Sequence, residues 1–477
     1  MLQIHPSHLS KPETFSGFDG FRHLFQGWVF NKRKPPQENA MRILKFISYA
    51  FGNFANTIAY QVFGNRIQFY YVDVLGLNAG IAGLLWSVYG LWNAVNDPLM
   101  GQLSDRTRSR FGRRVPYVAF GAIPLGLSFF FLWTPPGQSP WILAAYFLMI
   151  LFIFDTLYSL TFIAYVSLFP EIAPTPRDRI DLSTTREILA TVALLLSFIL
   201  APILAEEVGY LTMGAIMGAL IAVGYLVAMV GVKERSIDET KEETLGIRDS
   251  LKIVLANKAF RWFLGANISK EYIWLLLAAM LPFWRKYALG IQDSVSVFGL
   301  NLSGGDAEAI LLGVPILLAI PSLLIWRPIV ARLGYRKTWL IGTLTFIPGL
   351  FVMTFANDFY TGFLGTMLTV PGLANSMIMP FPVISEIIDE DAKQEHGFRR
   401  EGLFFGMNHG IIKLAFSAQG LLFALVTAAT GFASGSDVQT APAVWGIRFL
   451  IGITPALAAL LVAYCMWHYP LGRETHS

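Results

Sequence analysis

About twelve long apolar stretches recur along this chain of 477 residues, and they constrain its fold more than any other feature. A helix needs about 20 mostly apolar residues to cross a bilayer core about 30 Å thick. Strands are excluded, because an open sheet would leave backbone groups without hydrogen bonds in lipid. We therefore predict an all-α membrane protein with spans near residues 44–73, 79–103, 115–134, 140–169, 184–208, 210–232, 260–288, 307–326, 338–355, 359–388, 402–430 and 444–469.

The composition agrees with a membrane protein. Hydrophobic residues make up 54% of the chain and charged residues only 14%, whereas a soluble domain carries about 25% charged residues. The single cysteine, Cys465, excludes a disulfide framework and a cysteine-based metal cluster. Residues 1–40 contain charges and prolines but lack the apolar core of a signal peptide. We therefore expect the first span to direct insertion.

Basic residues are concentrated in alternate loops. They follow the second and the eighth span: Arg106, Arg108, Arg110, Arg113 and Arg114, then Arg327, Arg332, Arg336 and Lys337. The other loops contain few basic residues, with Arg285 and Lys286 as the main exception. Because cytoplasmic loops carry the excess of Lys and Arg, we predict a multi-pass protein of the cell membrane with both termini in the cytoplasm.

The chain has an internal repeat. Two pairs of motifs correspond in the two halves: Glu171-Ile and Arg186-Glu187 in the first, Glu386-Ile and Arg400-Glu401 in the second. Parallel six-helix repeats around a central cavity are a transporter architecture. The predicted organisation is a cytoplasmic segment 1–43, a six-helix bundle 44–232, a polar cytoplasmic loop 233–258, a second six-helix bundle 259–469 and a cytoplasmic tail 470–477.

Charges at the predicted cytoplasmic helix ends form one group of candidate functional residues. We interpret them as a cytoplasmic gate whose salt bridges form and break during alternating access. The alternative is a set of ordinary solvated loop charges, and their recurrence in both halves favours the gate. The group comprises Asp105, Arg106, Glu171, Arg186, Glu187, Glu386, Arg400 and Glu401.

Ionisable residues inside the spans form a second group, because a charge in the bilayer centre costs several kcal/mol and is usually functional. Asp97 lies four residues after Asn93 on one face of the second span, and Pro98 frees a nearby backbone carbonyl. These oxygens could hold a small cation or a proton. The alternative is a helix-end aspartate paired with an arginine of the next loop.

The remaining polar positions within the spans are candidates for solute binding. Lys413 lies deep in the eleventh span and needs a carboxylate or a solute oxygen as partner, or else forms a structural salt bridge between the halves. Lys270 and Glu271 are adjacent, and we do not expect them to pair. Small polar residues can also join helices. The full predicted set is Asn53, Asn56, Thr57, Asp155, Tyr158, Lys270, Glu271, Asn375, Asn408, His409 and Lys413.

Two motifs carry a family resemblance. Gly101-Gln-Leu-Ser-Asp105-Arg106, followed by Gly112-Arg113-Arg114, resembles the loop signature of the major facilitator superfamily. The longer string from Asn96-Asp97-Pro98 to Phe111-Gly112 is similar to the glycoside–pentoside–hexuronide cation symporters. The resemblance implies the major facilitator fold and a symporter that moves a small solute, such as a sugar or glycoside, together with H⁺ or Na⁺.

The resemblance also assigns roles to residues. The family's second helix binds the coupling cation through two aspartates, of which Asp97 matches the second, while Asn93 stands in place of the first. Its sugar-binding carboxylates fall on Thr57 and Phe162, and Lys413 matches its intramembrane lysine. Asp155, two turns before Phe162, is an acidic alternative on the same helix face. With one carboxylate in place of two, a proton is favoured over sodium.

Functions other than symport have weaker support in the sequence. Membrane prenyltransferases carry Asn-Asp-x-x-Asp, but Met100 stands where the last aspartate is required. No zincin, nucleophile-elbow or Walker A motif is present, so we predict that the chain is not an enzyme and needs no cofactor besides the coupling ion. A lysolipid or other organic solute remains an alternative substrate, and a channel or a non-transporting scaffold an alternative class. The predicted partners are a small solute and the bilayer, without nucleic acid, and we expect a monomer.

Overall fold

The computed structural model describes residues 36–107, 109, 112–230, 232, 247–394 and 400–472. The predicted segments 1–43 and 233–258 therefore lie largely outside the described residues, as does most of the tail 470–477. The chain forms two compact units, Met1–Phe46 and Ile47–Ser477. The predicted boundaries of the two six-helix bundles stay a prediction.

The first half of the chain consists of helices. Its elements are α1 (Pro36–Phe69), α2 (Ala79–Arg106), α3 (Val115–Phe131), α4 (Pro140–Ser167), α5 (Phe169–Ile172), α6 (Pro176–Leu195), α7 (Ala201–Glu207) and α8 (Gly209–Ala228). Two π-helical turns extend this series, Tyr70–Val74 after α1 and Leu196–Leu200 between α6 and α7. The turn after α6 makes α6 and α7 one continuous run.

The second half adds one short β-hairpin to its helices. Its helices are α9 (Ile247–Ala256), α10 (Lys258–Phe283), α11 (Gly304–Leu344), α12 (Phe346–Phe355), α13 (Phe359–Leu368), α14 (Val370–Ile378), α15 (Pro380–Gln394), α16 (Glu401–Ile412), α17 (Leu414–Thr430), α18 (Ala441–Arg448) and α19 (Thr454–His468). Strands β1 (Ser294–Val297) and β2 (Leu300–Ser303) pair antiparallel. Further π-helical turns, Trp284–Ala288 and Phe449–Ile453, follow α10 and α18.

Each of the twelve predicted spans coincides with a helical run. Within the described residues, seven runs are long and apolar enough to cross a membrane by length and composition, and one of them, 304–355, covers two predicted spans. The chain bends inside that run at Gly334, whose φ of 72° and ψ of 171° are not helical. The remaining spans fall on α3, which is shorter, and on α1, α2 and α10, whose apolar sequences are interrupted by polar residues.

Capping residues explain where several of these helices begin. The Asn78 side chain accepts a hydrogen bond from the backbone N–H of Ile81 at the start of α2. Ser303 and Asp306 form a reciprocal capping box at the start of α11. Such caps satisfy backbone donors that have no partner inside the helix. The helix ends are therefore encoded locally, and they set the depth at which polar side chains lie in the bundle.

The connections near the β-hairpin lie close together at one end of the bundle, which we call the hairpin end. The Gly435 N–H donates to the Val72 carbonyl oxygen at 3.1 Å. Tyr287 donates through its hydroxyl to the Ser436 carbonyl oxygen at 2.9 Å, and Tyr70 donates to the Trp133 carbonyl oxygen at 2.8 Å. The first of these bonds joins the two halves of the chain, and the other two tie together segments within the second half and within the first half.

Helices α2 and α17 approach each other through glycines. A Cβ atom on Gly83 would lie 2.6 Å from the Gly420 carbonyl oxygen, and one on Gly420 would lie 2.6 Å from the Gly83 carbonyl oxygen. Trp86 donates to Gln419 at 2.8 Å beside this contact. Because only glycine permits so close an approach, this contact fixes α2 against α17 and brings their polar side chains together.

Candidate functional site

An ion pair between the two halves of the chain lies at the centre of the site. Lys413, between α16 and α17, pairs through its ammonium group with the Asp97 carboxylate of α2. The same ammonium donates to Asn93 Oδ1 at 2.5 Å, and the Ser159 hydroxyl donates to Asp97 Oδ1 at 2.5 Å. Asp97 thus has a lysine as its cation and a serine of α4 as a donor.

A second carboxyl group continues this network. Asn93 donates through Nδ2 to the Tyr89 hydroxyl at 3.2 Å, and Tyr89 donates to Asp155 Oδ1 at 3.3 Å. Asn96 donates to Asp155 Oδ2 at 2.8 Å. Asp155 is only 1% exposed. The two acidic side chains are therefore linked through Lys413 and two side chains of α2, Asn93 and Tyr89.

A cavity lies beside the network, with a volume of about 800 Å³ that includes its mouth. Aromatic rings form much of its wall, and a few polar groups converge on it, which is typical of small-molecule sites. Its lining comes from α1, α2, α4, α10, α16 and α17 and comprises Asn56, Tyr60, Phe63, Tyr89, Asn93, Phe154, Asp155, Tyr158, Phe162, Glu271, His409, Ile412, Lys413 and Phe416.

Lys270 and Glu271 do pair, contrary to the prediction. Lys270 Nζ lies 2.7 Å from Glu271 Oε2. Adjacent residues leave a helix in different directions, but the four-carbon stem of lysine is long enough to bend back to its neighbour. Glu271 also accepts from the Tyr60 hydroxyl at 3.3 Å. This makes Glu271 part of the cavity wall, while Lys270 lies behind it.

Other predicted solute ligands lie away from the cavity lining. Asn53 accepts from Arg186 Nη2 at 3.4 Å and donates to its carbonyl oxygen at 3.2 Å. Thr57 bonds the Asn53 carbonyl oxygen one turn earlier at 2.8 Å. Asn375 donates to the Thr338 carbonyl oxygen at 3.2 Å, and Asn408 accepts from Asn267 at 2.9 Å. A role for these four residues in solute binding stays a prediction.

A sequence model of a transporter family, described as MFS/sugar transport protein, matches residues 48–473. The chain belongs to this family. It is 24% identical to an isoprimeverose transporter of Lactiplantibacillus pentosus, over 89% of this chain and 88% of that protein. It is 21% identical to a sodium-dependent lysophosphatidylcholine symporter of Danio rerio, over 93% and 88% of the two chains.

Solved structures support the fold. The nucleoside transporter NupG superposes with a TM-score of 0.64 at 14% identity, over 90% of this chain and 99% of that one. Family membership and this likeness confirm the predicted major facilitator fold and the predicted kinship with the glycoside symporters. They also confirm that the chain is a transporter and not an enzyme.

The charges predicted to form a cytoplasmic gate contact partners within their own half of the chain. Arg400 donates to both oxygens of Asp391, at 2.9 and 2.8 Å. Glu386 accepts from the Tyr469 hydroxyl at 3.1 Å, and Arg186 bonds Asn53 as described above. Glu171 lies in the short helix α5, whereas Arg186 and Glu187 lie in the middle of α6 and not at a helix end, contrary to the prediction. The side chains of Asp105, Arg106 and Glu401 lie outside the described residues, and the gate stays a prediction.

An ionic network at the hairpin end was not predicted. The buried Glu308 of α11 lies 2.7 Å from Arg66 of α1 and 3.4 Å from Arg285, as measured between carboxylate oxygen and guanidinium nitrogen. Lys286 lies 2.8 Å from Asp73. Each pair except Arg285–Glu308 joins the two halves. The one sequence signal was Arg285 and Lys286 themselves, which are basic residues in an otherwise basic-poor set of loops.

Proposed function

We propose that this chain is a secondary active transporter that moves a sugar or glycoside together with H⁺ or Na⁺ by alternating access. The observation that carries the proposal is the Lys413–Asp97 ion pair, which joins the two halves in the wall of the central cavity. A charge inside a span is costly unless it is paired and serves the transport path. The pair can break and re-form as the halves move.

The cavity suits a solute with both polar and apolar faces. Tyr60, Tyr158, Phe162 and Phe416 offer aromatic faces, against which the C–H faces of a sugar ring can pack. Glu271 and the ammonium group of Lys413 offer hydrogen bonds to hydroxyl groups. The named activity of the isoprimeverose transporter, which is similar along most of its length, supports a sugar or glycoside as the solute.

The orientation is also part of the proposal. The basic loops that follow α2 and Gly334 would face the cytoplasm under the positive-inside rule, and both termini would lie there too. The hairpin end would then face outward. Its ionic network and the glycine contact between α2 and α17 hold that end closed. The structure would represent a carrier that is closed to the outside.

A panel of candidate solutes can identify the substrate. Isoprimeverose, methyl glycosides, a glucuronide and lysophosphatidylcholine are each added to the purified chain in detergent, and the thermal shift is measured. Compounds that stabilise the protein are then tested for uptake into proteoliposomes under an imposed proton or sodium gradient. Stabilisation and uptake of the lysolipid alone would favour the alternative substrate class over a glycoside.

Asp97→Asn tests the coupling role in the same proteoliposomes. We expect the variant to lose gradient-driven accumulation, because a neutral amide neither takes up a proton nor supplies the negative charge that balances Lys413 or attracts a cation. Thr156→Val is a matched control, since Thr156 bonds only the Phe152 carbonyl oxygen of its own helix, at 2.7 Å. If Asp97→Asn accumulates the solute as the wild type does, Asp97 has no coupling role.

A further inference from the structure

Asp155 differs from Asp97 in what neutralises it. Asp97 has the Lys413 ammonium as an ion-pair partner. Asp155 is almost fully buried, and its hydrogen bonds come from the neutral donors Tyr89 and Asn96. An isolated buried carboxylate is expensive, and the usual remedy in proteins is a proton.

The groups around Asp155 leave one negative charge unbalanced. Helix α2 presents Tyr89 and Asp97, and the α16–α17 junction presents Lys413 and the half-exposed His409, whose Nε2 lies 3.5 Å from Asp97 Oδ2. With His409 neutral, the charge of the site is set by Asp97, Asp155 and Lys413. Helices α1 and α4 present the hydroxyls of Tyr60 and Tyr158, and α10 presents Glu271, which Lys270 neutralises. Helix α3 contains no charged residue. With Asp155 ionised, the set of Asp97, Asp155 and Lys413 has a net charge of −1; with a proton on Asp155, it is neutral.

From this arrangement we propose that Asp155 is the residue that binds the coupling proton, an inference that rests on the proposed transport function. Alternating access moves the site between two aqueous sides through an occluded state. Occlusion of a neutral site avoids the cost of a buried net charge. The carrier therefore changes orientation readily only when Asp155 is protonated.

Asn96 can form a hydrogen bond with both the ionised and the protonated form of Asp155. Its Nδ2 donates to Asp155 Oδ2 at 2.8 Å, and its Oδ1 is buried without a hydrogen-bond partner. An amide can turn so that its oxygen and nitrogen exchange places. A protonated Asp155 could then donate a hydrogen bond to Asn96 Oδ1, which is otherwise a buried acceptor without a partner. Asn96 would position Asp155 in both states.

A metal cation fits this position less well than a proton. Both carboxylate oxygens of Asp155 already accept hydrogen bonds, and the nearest amide group presents its nitrogen. Hard cations need several oxygen ligands. Within the part of the chain that the structure describes, no group of three or more His, Cys, Asp or Glu side chains could hold a metal ion.

The hydrogen-bond chain also connects Asp155 to the ion pair. Every donor along it points towards Asp155: Lys413 donates to Asn93, Asn93 to Tyr89, and Tyr89 to Asp155. Linked hydrogen bonds polarise one another. A proton on Asp155 makes its oxygen a weaker acceptor, which weakens the whole chain and frees Lys413 for a solute oxygen. Proton binding and solute binding would thus favour each other, as symport requires.

Infrared spectroscopy tests the proton site without any solute. The full chain in detergent is titrated with acid, and the carbonyl stretching band of protonated carboxyl groups is recorded. Above the background from the other carboxyl groups, we expect one titrating component of this band in the wild type, in Asp97→Asn and in the control Thr156→Val, and its loss in Asp155→Asn. Asp155→Glu should restore it. A band that survives in Asp155→Asn and disappears in Asp97→Asn would overturn the proposal.

Transport supplies the second readout. In proteoliposomes with isoprimeverose or the solute that the panel identifies, we expect Asp155→Asn to lose at least 90% of solute-driven proton movement. Exchange of labelled for unlabelled solute at equal pH should fall far less, and Asp155→Glu should retain coupling. Undiminished proton movement in Asp155→Asn would refute the proton role. If the wild type moves no solute at all, the proposed function fails, while the infrared result still decides whether Asp155 binds the proton.

Discussion

The ammonium group of Lys413 lies between the Asp97 carboxylate and the Asn93 side-chain oxygen, and the side chains of Lys413 and Asp97 are only 9% and 10% exposed. The second helix of the related symporters is expected to hold a cation between two carboxylates. Here Lys413 occupies that place as a covalently attached cation, and an amide takes the place of one carboxylate. The ion pair is thus a contact between the halves, and under the proposed function it is also part of the coupling site.

Removal of one partner of this pair should destabilise the protein. Lys413→Ala leaves the Asp97 carboxylate buried without its cation, which costs about 3–5 kcal/mol in buried ion pairs. We expect a lower unfolding temperature in detergent for Lys413→Ala and partial recovery in the double variant Lys413→Ala/Asp97→Asn. Additive effects of the two substitutions in this double-mutant cycle would show that the pair is not energetically coupled.

The close contact between Gly83 and Gly420 should control closure of the hairpin end. Gly83→Ala places a methyl group 2.6 Å from the Gly420 carbonyl oxygen, and overpacking of this kind costs about 1–3 kcal/mol. We expect the hairpin end to open more often, by about fivefold for each 1 kcal/mol. The readout is the rate at which a cysteine introduced at Val72, which is fully buried at the hairpin end, reacts with a membrane-impermeant thiol reagent.

The chain offers good controls for that experiment. Its one native cysteine, Cys465, is buried, so the introduced cysteine dominates the signal. Gly64→Ala is the matched substitution, because a Cβ on Gly64 meets no atom within 4 Å. Equal labelling rates in Gly83→Ala and Gly64→Ala would contradict a role for the glycine contact in closure.

Glu308 should hold the hairpin end closed by charge. Its carboxylate is fully buried between Arg66 and Arg285. Glu308→Gln leaves two guanidinium groups facing each other without a buried anion, and we expect a stability loss of about 3–5 kcal/mol together with faster labelling at Val72→Cys. Asp306→Asn, two residues away in the helix cap, is the control. Unchanged labelling in Glu308→Gln would mean that the network does not act as a gate.

Glu271 should contribute to solute affinity. It lines the cavity and accepts from the Tyr60 hydroxyl, so a solute hydroxyl could donate to its free lone pairs. Glu271→Gln should weaken solute binding by about 10-fold, the effect of losing one charge-assisted hydrogen bond. The measurement is a binding isotherm with the solute found by the panel. Ser269→Ala, a neighbour whose hydroxyl bonds the Gly265 carbonyl oxygen, serves as the control.

Part of this picture could be read from the sequence. The apolar stretches located the helical runs of the twelve predicted spans, because a bilayer dictates both the length and the composition of a spanning helix. Helix α9, inside the predicted loop 233–258, was not predicted. Asp97 and Lys413 were recognisable one at a time, because each is an ionisable residue in an apolar context. Their pairing with each other was one of several possibilities in the sequence. Asp97 and Lys413 come together only through the packing of α2 against α17.

Other features depend on packing that a sequence pattern does not contain. In the sequence, Asn53, Asn56 and Asn375 are equivalent candidates for solute binding. Of these three, Asn56 alone faces the cavity. Small rotations of a helix decide which side of it a polar residue occupies. Glu308 was not predicted as a functional residue, because it lies near the end of a predicted helix, where a charge is ordinary. Its burial between Arg66 and Arg285 follows from the contact of α1 with α11, which no local motif encodes.

The most direct test of the central claim is accumulation of a solute against its own gradient. Proteoliposomes that contain the wild-type chain are supplied with isoprimeverose or the solute from the panel, under an inward gradient of protons or of sodium. We predict an internal concentration above the external one, which collapses when an ionophore dissipates the gradient. If every stabilising solute merely reaches its external concentration under both gradients, the chain is not a cation-coupled symporter.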